Sequence, residues 1–249
     1  MTDRSRPRMG HCSAGFSVIG RFLLRKGLPL LAALALGAFF GGCAARSPRD
    51  AALEKWWTDN IPRQTSSRDM NFNGLSDTDD LVEGGRMEIR RRPYYRSRYF
   101  ENGGFPPSGE GVCTDLVWRA YTYAGYDLKS MIDLDISLSP DSYARVGGRP
   151  DPNIDFRRVP NLKVFFARFG KRLTTVIKPG DAANLAQWQA GDIVTFKERD
   201  HVAIVSPRRN SRGVPYLIHN PGPRPVEADD LWKLYQQKRL TGHYRFPED

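Results

Sequence analysis

Three short apolar runs lying close together govern what this chain can become. Ile193-Val-Thr-Phe196, His201-Val-Ala-Ile-Val205 and Val214-Pro-Tyr-Leu-Ile-His219 are rich in β-branched and aromatic residues. Gly191-Asp192, Glu198-Arg-Asp200 and the polar stretch from Pro207 to Gly213 punctuate them as turns. They read as neighbouring strands of an antiparallel sheet. If Ser206 pairs with Val214, His201 faces His219 across the two strands, with Cβ atoms about 5 Å apart. A slip of one residue would turn His219 to the other face and bring Asn220 forward instead.

Upstream, a Gly/Pro loop from Tyr99 to Gly111 runs into a segment with apolar Leu116, Val117, Ala120 and Ala124. That spacing is the stripe of an amphipathic helix, with Gly125 where a C-terminal cap belongs. Cys113 falls at its first turn. Free N–H groups and the helix dipole favour a thiolate there, which predicts a lowered thiol pKa. The competing reading of a lone thiol is an inert, buried side chain. Of four histidines, His11 lies in the leader, and His243 reads as a terminal-strand residue with no evident partner. A Cys at a helix N-terminus, His201 at a strand start and a polar third group on the next strand, His219 or Asn220, follow the nucleophile, base and orienter logic of a cysteine hydrolase. A pair of surface histidines is the plainer alternative.

The first 43 residues read as an address. Arg21, Arg25 and Lys26 precede an apolar run from Leu28 to Phe40, which ends at Gly41-Gly-Cys43. This is the pattern of an export signal, too short to span a bilayer as a helix. Small residues directly before Cys43 resemble the bacterial lipobox, with Phe40 where an aliphatic residue is usual. The expectation is a lipid anchor on Cys43 and an exported, cell-envelope protein, with an ordinary signal peptide as the alternative. The leader carries six basic side chains against Asp3, half of the formal charge of +10. Only a mild positive balance is left for the rest, and no nucleic-acid-binding signature accompanies it, so no nucleic-acid partner is expected.

Residues 44–68 read as a linker, although Leu53, Trp56 and Trp57 give it an amphipathic stretch. Residues 69–92 hold a candidate calcium loop followed by a helix. Asp69, Asn71, Asn73, Asp77 and Asp80 take positions 1, 3, 5, 9 and 12 of an EF-hand-type loop, Gly74 takes position 6, and Leu75 offers the position-7 carbonyl. Asp80 has a shorter reach than the usual Glu, and Gly84-Gly85 would weaken the helix. The expected cofactor is a structural Ca²⁺; an Asn/Asp-rich turn is the alternative.

Several blocks carry a resemblance. Phe100-Glu-Asn-Gly-Gly with Val112-Cys-Thr-Asp-Leu-Val, Gly191-Asp-Ile-Val-Thr-Phe with His201-Val-Ala-Ile-Val, and Tyr216-Leu-Ile-His219 resemble the conserved blocks of NlpC-type papain-fold peptidases. The closer resemblance, over 69–249, is to a bacterial family known only as domain of unknown function 1287. It rests on Gly111-Val-Cys-Thr-Asp, Asp151-Pro-Asn-Ile-Asp-Phe-Arg-Arg and Ile218-His-Asn. The resemblance implies Cys113 as nucleophile, His201 as base and His219 as orienting group. It also implies an α+β fold over 93–249: a papain-like half-barrel whose antiparallel sheet packs against a Cys-bearing helix. Thr114-Asp115 departs from the NlpC pattern, and a long insertion, about 127–181, separates the Cys and His blocks. Within it, Leu162, Phe165, Phe166 and Phe169 recur at helical spacing as core residues. Arg157-Arg158 beside Asp155 reads either as a substrate-carboxylate site or as an internal ion-pair network.

Together these features lead to an exported cysteine hydrolase acting on cell-wall peptide or a related envelope amide. The rival readings are a Cys-dependent acyl or thioester transferase and a non-catalytic, calcium-stabilised envelope-binding module.

Overall fold

The computed structural model describes residues 47–248. The segment expected to be an export signal, and the expected lipid anchor at Cys43, lie outside them. Helix α1 (Pro48–Asn60) starts where Ser47 Oγ accepts the Asp50 N–H at 3.1 Å, with Pro48 in the first turn. The segment read as a linker therefore carries a helix. Its polar residues face water, while Trp57 packs into the core and Thr58 Oγ1 accepts the Arg209 N–H at 3.3 Å.

Helices α2 (Asp77–Arg91), α3 (Cys113–Tyr123), α4 (Leu128–Leu138) and α5 (Val159–Phe169) follow, with a two-residue parallel bridge, β1 (Tyr94–Tyr95) to β2 (Glu110–Gly111), just before Cys113. Helix α2 runs unbroken through Gly84-Gly85. A Cβ at Gly84 would sit 2.8 Å from the Ala120 Cα, and one at Gly85 2.7 Å from the Ile218 Cγ2. The glycines give up helix propensity so that α2 can press against α3 and the sheet.

The remaining elements are β3 (Lys171–Arg172), α6 (Ala182–Leu185), β4 (Ile193–Phe196), β5 (His201–Arg209), β6 (Pro215–His219), β7 (Val226–Ala228), α7 (Leu231–Gln236) and β8 (Leu240–Arg245). The strands form a six-stranded, wholly antiparallel sheet in the order β3-β8-β4-β5-β6-β7. Along each strand, side chains alternate between two cores. Ile193, Val202, Ile204, Ile218 and Tyr244 meet Leu116, Val117 and Ala120 of α3 together with Leu162, Phe165 and Phe166 of α5. Val194, Phe196, Ala203, Val205 and Leu217 meet Trp188, Leu185 and Leu231 on the other side. Burial on both faces is why these strands read as continuous apolar runs. The fold is thus α+β, with the Cys-bearing helix packed against an antiparallel sheet.

The insertion supplies α4 and α5, and Phe169 alone of its aromatic stripe stays exposed, at 47%. Among the described residues no helix is long and apolar enough to cross a membrane.

Candidate active site

Helix α3 begins at Cys113 because Val112 is extended and the glycine-rich loop before it cannot continue a helix. Asp115, at the third helical position, accepts the Val112 N–H at 2.8 Å and satisfies one of the free donors of the helix start. The sulfur is buried, 4.0 Å from the Asp200 carbonyl oxygen, with backbone N–H groups of Val202, Thr114 and Cys113 itself directed at it. It thus lies against the backbone on either side of His201. The expected lowering of the thiol pKa is not found. Burial pushes the Cys113 thiol up to about 11, and the Asp115 carboxylate adds to the rise. The N–H groups pull the other way and are outweighed.

His201 starts β5 and His219 ends β6. Ile204 pairs with Ile218 and Val205 with Leu217, a register two residues away from the expected one. An even shift preserves the face, so the two rings still meet. His201 Nε2 lies 2.8 Å from His219 Nδ1. The hydrogen bonds of the described residues include none between Cys113 and His201. Burial, followed by the nearby His219 and Arg239, depresses the His201 pKa to about 3, so the ring is neutral at physiological pH. Asn220 is occupied elsewhere: its Nδ2 donates to the Gly111 carbonyl at 3.2 Å and its Oδ1 accepts the Gly222 N–H. His219, not Asn220, is the partner of His201.

Sequence reasoning missed Asp230. Its Oδ2 lies 3.2 Å from His219 Nε2, close but off the line of a well-directed hydrogen bond. The contact with His219 holds the Asp230 carboxyl below its ordinary range against the opposing effect of burial. The sequence signal was only that of a residue preceding a short helix, since Asp230 is the N-cap of α7. Tyr95 was missed as well. It lines the same cavity of about 670 Å³ as His201, His219, Asp230, Arg199 and Arg239. Burial raises its phenol pKa, and Cys113 and Asp115 add to the rise, which places the ring near the thiol. A second cleft of about 700 Å³ lies against β8, away from this cluster. His243 borders it with both ring nitrogens engaged, Nδ1 with the Thr174 carbonyl at 2.7 Å and Nε2 with Asp192 at 2.9 Å. The ring also stacks on Trp188. The histidine expected to lack a partner is thus built into the core.

The insertion is joined directly to the Cys block. Arg157 donates from Nε to Asp115 Oδ1 at 2.7 Å and from Nη2 to Asp115 Oδ2 at 2.9 Å, and its Nη1 reaches the Arg98 carbonyl. Arg158 pairs with Asp155, whose other oxygen accepts the Asp151 N–H. Asn153 accepts the Gly103 N–H at 2.7 Å, and a Cβ on Gly104 would sit 2.0 Å from the Asn153 carbonyl oxygen. Of the two readings of Asp155, Arg157 and Arg158, the internal network is the one observed. Asp115 anchors this brace under the Cys helix.

In the loop ahead of α2, four of the six expected ligands gather. Asp80 accepts from Asn71 Nδ2 and Asn73 Nδ2, each at 2.8 Å, and Asp69 accepts the N–H groups of Asn73 and Gly74. The structure does not bring Asp77 to them: its carboxylate accepts the Met70 N–H and the Tyr126 hydroxyl. The Leu75 N–H donates to Asn73 Oδ1. Burial raises the Asp80 pKa, and the carboxylates of Asp69 and Asp77 add to the rise. Among the described residues no cluster of three or more His, Cys, Asp or Glu side chains stands ready for a metal. The donors fit Ca²⁺ only in part, as two carboxylates and two amides.

These elements define an α+β protein with a buried thiol at a helix start beside a paired-histidine cavity. The chain belongs to the family described as domain of unknown function (DUF1287), whose family model matches residues 82–246. It is similar to the uncharacterized protein YijF of Escherichia coli (strain K12), with 34% identity over 174 residues, covering 67% of this chain and 80% of that protein. No solved structure gives a match.

Proposed function

We propose that this chain is an exported cysteine hydrolase, a peptidase or amidase of papain-like, NlpC-type half-barrel architecture, acting on cell-wall peptide or a related envelope amide. The observation that carries the reading is the seating of the Cys113 sulfur against the backbone flanking His201, whose ring is in turn bonded to His219 at 2.8 Å. With the thiol raised and the imidazole depressed, the resting pair is a thiol and a neutral ring rather than an ion pair. His201 would act as a general base during attack, then return the proton to the leaving amine. The N–H groups at the start of α3 would bind the oxyanion. The leader supports export and a lipid anchor at Cys43. We include in the proposal a structural Ca²⁺ held by Asp69, Asn71, Asn73 and Asp80; it has no part in the reaction.

The deciding experiment is incubation of purified cell-wall peptides with the protein and its Cys113→Ala variant, read by mass spectrometry. Cys113-dependent fragments one water heavier in sum support hydrolysis. Cys113-dependent cross-links would turn the reading to acyl transfer, and unchanged peptides would oppose both.

A further inference from the structure

The paired imidazoles end in a carboxylate, and that order decides where the protons sit. His219 Nε2 is buried, has no aligned hydrogen-bond partner, and faces Asp230 Oδ2 at 3.2 Å. A carboxylate can only accept, and a ring lone pair turned toward it in a buried site would be repelled. His219 Nε2 must therefore carry the hydrogen, which in the neutral ring leaves the lone pair on Nδ1. That Nδ1 lies 2.8 Å from His201 Nε2. Two nitrogens at this distance share one hydrogen, so His201 Nε2 is the donor. The ring nitrogen left with a lone pair is His201 Nδ1.

We propose that Asp230 is a positioning residue that sets the tautomer of both histidines and thereby makes His201 Nδ1 the basic atom of the site. The inference deepens the cysteine-hydrolase reading and rests on it for its chemical consequence. In the attack step the Cys113 S–H bond breaks and an N–H bond forms at His201 Nδ1. The Nε2–H stays bonded to His219, and the new positive charge is offset through His219 by the Asp230 carboxylate. The same carboxylate is the one neighbour that raises the His201 pKa, against burial, His219 and Arg239, which lower it. An amide in place of Asp230 can donate to His219 Nε2, which moves the His219 hydrogen to Nδ1 and the His201 hydrogen onto the nitrogen that should act as base. The comparable Asp-to-Asn change in serine-protease triads costs about 10⁴-fold through the wrong tautomer.

The test is ¹⁵N NMR of the protein labelled at histidine, with peaks assigned through single His→Gln variants, alongside iodoacetamide alkylation of Cys113 at pH 7. Wild type is expected to show protonated Nε2 and bare Nδ1 on both His201 and His219. Asp230→Asn should reverse both rings and slow alkylation at least tenfold while the melting temperature stays near wild type, and Asp230→Glu should restore the wild-type pattern. Protonated Nδ1 on His219 in wild type, or unchanged tautomers in a folded Asp230→Asn variant, would overturn the proposal. The parent reading fails separately: alkylation that His201→Ala leaves unaltered removes the base, whatever the tautomers show.

Discussion

Asp115 and Arg157 form a two-bond ion pair with almost no exposed surface, 0% and 2% of their side chains, beneath the first turn of the Cys helix. Removing one partner leaves a buried charge uncompensated. Arg157→Met should therefore cost about 3–5 kcal/mol of stability, read from the urea midpoint. The double variant Asp115→Asn/Arg157→Met should be less destabilised than the two single changes added together, because neither charge remains. Strict additivity, or a loss below about 1 kcal/mol for Arg157→Met, would contradict a brace at this position.

His201 makes a second quantity measurable. Its folded pKa lies near 3, below the unfolded value of about 6.5, because the buried ring resists protonation. Between those values the unfolded chain binds the extra proton, so this contribution is complete above about pH 6.5 and is lost as pH falls toward 3. The limiting slope for one proton is about 1.4 kcal/mol per pH unit. Subtracting the acid-stability curve of His201→Gln from that of wild type should isolate this slope. Parallel curves would mean that the ring protonates freely in the folded protein.

The thiol provides a third check. With its pKa near 11, Cys113 should alkylate slowly at neutral pH and accelerate steadily above pH 8, with no plateau near 7. Peptide mapping assigns the adduct to Cys113. A plateau between pH 6 and 7 would restore the thiolate predicted from helix position alone.

That difference marks what the sequence could convey. The strand Ile193–Phe196 was legible as a short apolar run and the helix starting at Cys113 as a 3.6-residue period, each bounded by its own turn residues. The helix dipole at Cys113 is equally local, whereas the burial that outweighs it comes from packing against elements far along the chain. The β5–β6 register moved by two because the ladder is irregular between Val205 and Arg209. There Asn210 Oδ1 also gathers the N–H groups of Arg212 and Val214 into a tight turn. The histidine pair survived that error since an even shift keeps the face. Partners distant in sequence left no local signal: Asp230 for His219, Asp115 for Arg157, and both Thr174 and Asp192 for His243.

The loop before α2 sets the last prediction. Asp80 is fully buried, and the side-chain amides of Asn71 and Asn73 share its carboxylate. Desolvation and the neighbouring carboxylates already oppose its ionised form, so a divalent cation bound there would relieve all three effects at once. A cation that binds only the folded chain raises stability by about 2.7 kcal/mol at a hundred times its dissociation constant. Added Ca²⁺ should therefore raise the melting temperature of EDTA-treated protein by several degrees. Asp80→Asn should abolish the rise, and Mg²⁺ should reproduce it poorly because it resists dehydration by so irregular a donor set. A melting temperature indifferent to both EDTA and Ca²⁺ would reduce the loop to an Asx-rich turn that holds α2 in place through its own amides.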